Sequence, residues 1–141
     1  MSFREKSAWV SLLAYFGIYG FYFASVAAAL GRGAADSAHF LGLFAQSVVL
    51  FVVVVVIGTV AAAVSAPKDA QTPLDEREKL IALKAGNASG YALATGVVLA
   101  IGAALFGADD FLLINVLFFA LVVSEVFKIA IQIVLFRRGV A

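Results

Sequence analysis

Apolar residues fill four long stretches of this chain, and the polar positions gather between those stretches rather than along one face of each. Crossing a hydrocarbon core takes about 20 apolar residues in helix, and segments 7–30, 40–64, 86–106 and 111–136 each satisfy that length. Gly31, Arg32, Gly33, Asp36 and Ser37 mark the first link, while Gly107, Ala108, Asp109 and Asp110 make a very short third one. Links this short force successive helices to run antiparallel. The expected fold is an all-α membrane protein, one transmembrane domain over residues 1–141, with four helices bundled up-down-up-down.

The second link, 66–85, has a pattern of its own. Ala66 to Gln71 reads as a turn, Thr72 as a helix cap and Pro73 as the first helical residue, with Asp75 and Glu76 complementing the positive helix end. No breaker separates Asp75 from Ala85, which predicts a helical extension continuous with the third span. Asp75, Glu76, Arg77, Glu78 and Lys79 form its charged part, and Asp75 and Lys79 stand four residues apart as a favourable pair. Two readings stand side by side: a solvated helix end carrying its own ion pairs, or a docking surface for a cytosolic protein.

Charge fixes the expected orientation. Arg4 and Lys6 precede the first span, Lys68, Arg77, Lys79 and Lys84 lie between the second and third, and Arg137 and Arg138 follow the fourth. Only Arg32 occupies the first link, and the third has no basic residue. Both termini and the middle link are therefore expected in the cytoplasm. A competing reading makes Arg4, Lys6, the first apolar stretch and Ala27-Ala28-Ala29 a cleaved signal peptide, against which the apolar region is longer than the usual ~7–15 residues.

Composition narrows the function classes. At 141 residues and 64% apolar, the chain has more apolar surface than a soluble domain of its size could bury. Without cysteine it has no disulfide, thiolate metal site or cysteine nucleophile, and its single histidine and single methionine argue against a dedicated transition-metal centre. A formal charge of +1 gives no nucleic-acid footprint. Neither a nucleophile–base pair nor a phosphate-binding glycine loop is visible, so no enzyme activity and no cofactor are expected.

Polar residues inside the spans are the candidate site. Glu125 falls near the middle of the fourth span, and Ser124, Lys128 and Gln132 share its face at 100° per residue. An ionised carboxylate at that depth is costly unless paired, and Lys128 is the nearest partner. On the first span Ser11, Tyr15, Tyr19, Tyr22 and Ser25 recur at spacings of four, four, three and three. Tyr15 and Tyr19 match Glu125 in depth, so a phenol is expected to donate to the carboxylate, with the first helix beside the fourth. The cluster reads as polar glue between helices, as an ion or proton pathway, or as a subunit contact.

Small residues complete the pattern. Gly20, Ala24 and Ala28, and Gly86, Gly90 and Ala94, follow a small-xxx-small rhythm expected to pack inside the bundle, with a homo-oligomer contact as the alternative. The run Val52 to Val56 suits a lipid-facing surface. Sliding the third span onto the first matches Tyr15 to Tyr91, Gly20 to Gly96 and Gly31 to Gly107, which reads either as a parallel repeat or as the chance recurrence of residues common in membrane helices.

Asp75-Glu76-Arg77-Glu78, followed by Ile81, Lys84 and Ala85, resembles a group of small bacterial and archaeal membrane proteins of unknown function. The opening Phe3 to Trp9, then Tyr19-Gly20 and Tyr22-Phe23, is similar to the starts of some of them. The resemblance implies a four-helix inner-membrane protein, often encoded beside a small helix-turn-helix regulator, and carries over no site residue. The leading expectation is a membrane-embedded regulatory or interaction protein with a charged cytoplasmic helix. The alternative is a small ion- or proton-coupled transporter or channel subunit using Glu125 and Lys128.

Overall fold

The computed structural model describes residues 2–33 and 37–138, apart from the side chains of 37, 38 and 69. Asp36, assigned above to the first link, lies outside the described residues. Every described element is helical. Helix α1 (Phe3–Ala14), a π-helical turn (Tyr15–Tyr19) and α2 (Gly20–Gly31) form one continuous rod, followed by α3 (Ser37–Ser65), a short α4 (Pro67–Gln71), α5 (Glu76–Leu105) and α6 (Asp110–Arg138). The four rods are each long and apolar enough to cross a membrane. The 30 residues of α5 measure roughly 45 Å at about 1.5 Å per residue, so its ends project beyond a ~30 Å hydrocarbon layer.

Local chemistry sets the helix ends. Ser2 caps α1, its hydroxyl accepting from the Glu5 N–H at 3.2 Å. Asp75 caps α5 through a reciprocal capping box: the Glu78 N–H donates to Asp75 at 2.7 Å, and the Asp75 N–H donates to Glu78 at 3.1 Å. This corrects the expectation that Thr72 caps a helix begun by Pro73. The Thr72 hydroxyl donates instead to the Lys68 carbonyl at 2.7 Å, closing α4, and residues 73–75 are non-helical. Because the Asp75 carboxylate is turned onto the helix end, Lys79 pairs with Glu76 at 2.8 Å rather than with Asp75. At the far end of α5, Gly107 takes φ 83°, and the N–H groups of Gly107 and Ala108 bond back to Ala104 and Ala103, each at 3.0 Å. Asp109, in the short third link, accepts from the Leu112 N–H at 2.7 Å and starts α6.

Extended packing joins α1 to α3, α1 to α6 and α5 to α6, and among the described residues no comparable interface links α3 with α5. At one end Phe40 and Phe44 of α3 meet Phe111 and Phe118 of α6, with ring centroids 5.2 and 4.8 Å apart. The expected four-helix bundle is thus three rods around a core, with α5 on the flank of α6. Close approach occurs where a glycine leaves room: a Cβ on Gly58 of α3 would collide with Val10 of α1, and one on Gly96 of α5 with Ala120 of α6. The glycines expected to pack the bundle do not. A Cβ at Gly20, Gly86 or Gly90 would meet open space, because those positions turn outward. Four of the five residues of the valine run are likewise exposed.

Candidate functional site

The polar residues sort into two places, the middle of α6 and the end of the molecule where α1 and α5 begin and α6 finishes. Glu125 and Lys128 pair at 3.2 and 3.5 Å, one helical turn apart. Their side chains are 36% and 37% exposed, so more than a third of each ion lies uncovered by its own chain. Ser124, expected on the same face, is buried and donates to the Leu121 carbonyl at 2.8 Å. It follows Ala120 by one turn and so shares the side of α6 that meets Gly96 of α5. Gln132 lies two turns beyond Glu125 and is half-buried.

The tyrosine stripe divides between two neighbours. Tyr15 and Tyr19 stack on Phe51 of α3, at 4.5 and 5.0 Å, and Tyr19 also meets Phe118 of α6 edge-on at 5.2 Å. Neither phenol donates to Glu125, whose described hydrogen bonds come from Lys128. The expected helix neighbours are right, and the expected bond is not. Residues Tyr15–Tyr19 form a π turn, wider than an α turn, which resets the phase of the stripe. Meanwhile α6 meets this rod through Ile129 and Ile133, against which Tyr15 packs, so Glu125 lies within electrostatic reach of Tyr15 without a hydrogen bond from it.

The hydrogen bond between these helices forms elsewhere. Tyr22 donates to Asn115 at 2.9 Å, and Asn115 donates to the Phe111 carbonyl at 2.8 Å, all within the aromatic cluster of Phe23, Phe40, Phe44, Phe111 and Phe118. The sequence pattern gives Asn115 no partner. The signal was present: Tyr22 lies one turn beyond Tyr19 and needs an acceptor at the depth where α6 offers Asn115.

At the charged end, the first turn of α1 is tied to every other rod. Arg4 forms an ion pair with Glu78 and donates to the Thr72 carbonyl at 2.9 Å. Glu5 accepts from Arg137 at 3.0 Å, and that guanidinium lies 5.5 Å from the Trp9 ring. Lys6 donates to Ser65 of α3 at 3.0 Å. Arg77 donates to the Phe136 carbonyl at 3.1 Å, satisfying the last turn of α6 where a cation also suits the helix dipole. Of the five residues expected to form a docking surface, Asp75, Arg77 and Glu78 are thus engaged internally. Glu76 and Lys79 form the outward-facing pair. Beside this latch α1, α5 and α6 border an open, mostly apolar cavity of about 260 Å³, with Ser7, Ser11 and Gln132 among its polar residues. Its lining extends to Ser11 on α1 and to Ile129 on α6.

No protein-family model matches this chain, no curated protein matches it and no solved structure matches it. Its site is therefore read from its own chemistry.

Proposed function

We propose that this chain is a multi-pass protein of the bacterial inner membrane, both termini inside, working as a membrane-embedded interaction or regulatory protein. Its interaction face lies within the membrane, around Glu125 and Lys128, rather than on the charged helix before the third span. The observation that carries this reading is the ion pair at the middle of α6, each member more than a third exposed. Lipid tails offer no hydrogen bond to either group, and such intramembrane charges face protein or water. The internal use of Asp75, Arg77 and Glu78 removes most of the cytosolic surface that the sequence suggested. Glu76 and Lys79 remain for a cytosolic partner, by resemblance a small helix-turn-helix regulator. A photoreactive side chain placed at Leu121 and activated in native membranes is expected to capture protein; capture of lipid alone would sink the proposal.

A second reading, ion or proton passage, is favoured by the π turn level with Glu125 and by the cavity that Ser7, Ser11 and Gln132 help to line. The two readings part at Glu125→Gln. Passage requires the charge and stops, whereas an interaction face keeps much of its hydrogen bonding.

A further inference from the structure

Glu125 and Lys128 belong to a longer stripe. Ile114, Leu117, Leu121, Glu125 and Lys128 follow one another at spacings of three, four, four and three, the rhythm of a left-handed helix–helix seam. The first three are 62%, 44% and 48% exposed, and the two ions are partly exposed. This stripe runs between the two sides of α6 already in use: Ala120 against α5, and Ile129 and Ile133 against α1.

We propose that the stripe docks a second copy of the chain, α6 against α6 across a two-fold axis along the membrane normal, with Glu125 of each copy meeting Lys128 of the other. This rests on reading Glu125–Lys128 as an intramembrane interaction face. A carboxylate has about four acceptor sites, more than one ammonium fills. Lys128 is likewise left more than a third exposed by its own chain. The occupant must therefore bring a cation to Glu125 and an anion to Lys128 at one depth. Across a two-fold axis along the normal each residue faces its own twin, and Glu125 of one copy reaches Lys128 of the other over a rise of about 4.5 Å, three residues at about 1.5 Å each, so the two chains supply both charges to each other. An apolar helix would leave both ions unanswered, and a helix with one charge would leave one.

The chain lacks cysteine, so single thiols report without background. Under mild oxidation in native membranes, Leu121→Cys is expected to give a disulfide-linked dimer, and Val123→Cys, on the far side of α6, to stay monomeric. Adding Glu125→Lys or Lys128→Glu to the Leu121→Cys chain gathers four like charges at the seam and is expected to lower the dimer yield about ten-fold. Co-expressing these two variants under different tags is expected to restore the crosslink between tags, which keeps the test decisive where either variant alone folds poorly. A dimer insensitive to both charge changes, or equal crosslinking at Val123→Cys, would overturn the proposal. Photocapture from Leu121 of a different membrane protein and no second copy overturns self-association while the interaction reading survives. Capture of lipid alone overturns both.

Discussion

Glu125 shows how a charge can be paired and still unfinished. Its carboxylate answers Lys128 across one turn, so replacing it with leucine strands an ammonium at mid-span, whereas glutamine keeps an acceptor in reach. Glu125→Leu is expected to lose about 1–3 kcal/mol more than Glu125→Gln, read as thermal stability in detergent. Equal loss for the two would show that charge, not hydrogen bonding, is what the site requires. Tyr22 and Asn115 make the complementary case, a neutral pair fully inside the aromatic cluster. A double-mutant cycle of Tyr22→Phe with Asn115→Leu should give a coupling of about 0.5–1.5 kcal/mol, typical of interhelical hydrogen bonds. Tyr19→Phe should cost less, because the described contacts of Tyr19 are ring contacts; a larger loss at Tyr19 than at Tyr22 would mean that its hydroxyl bonds in the membrane. Depth along the membrane normal brings Tyr15 near Glu125 but does not fix direction around the helix, and the expected hydrogen bond is absent among the described ones.

Among the elements, what was legible and what was not divide along a physical line. Run length located all four rods, and the unbroken sequence after Asp75 gave the continuous α5, because a membrane punishes any exposed backbone group regardless of context. Neighbours were harder to read, since lipid accepts apolar side chains on any face and hydropathy does not separate helix-facing from lipid-facing positions. That is why Gly86 and Gly90 looked like packing residues while the close contact falls at Gly96. Gly96→Leu should therefore cost about 1–3 kcal/mol by driving α5 off Ala120, while Gly90→Ala should be neutral or slightly stabilising. Comparable loss from both, measured as folded yield, would place α5 differently. The π turn had no signal of the kind sought, for Tyr15–Tyr19 contains no proline. Tyr15 and Tyr19, the two ends of the turn, both stack on Phe51.

At the scale of the molecule, the fold collects the basic residues of three separate segments at one end. Arg4 and Lys6 start α1, Arg77 and Lys79 start α5, and Arg137 and Arg138 finish α6, while of the described residues of the first link only Arg32 is basic. Acidic partners balance several of them, but orientation follows lysine and arginine count rather than net charge. The ties from Arg4 to Glu78, Glu5 to Arg137 and Lys6 to Ser65 then hold α1 to α5, α6 and α3 on that side. Singly, such partly exposed pairs contribute about 0–1 kcal/mol, so their common effect is to fix which segments meet rather than to drive insertion. Orientation itself is testable without reference to function. Reporters fused after Ala141 and inserted near Gln71 should read cytoplasmic, and one inserted near Ala35 periplasmic. Moving basic residues tests the cause: replacing Lys68, Lys79 and Lys84 with glutamine while adding three lysines beside Ala35 should produce a mixed or inverted population. Unchanged labelling in that variant would mean that the ties at the charged end, not the basic asymmetry, set the topology, and periplasmic labelling near Gln71 in the unaltered chain would reverse the orientation proposed for the whole molecule.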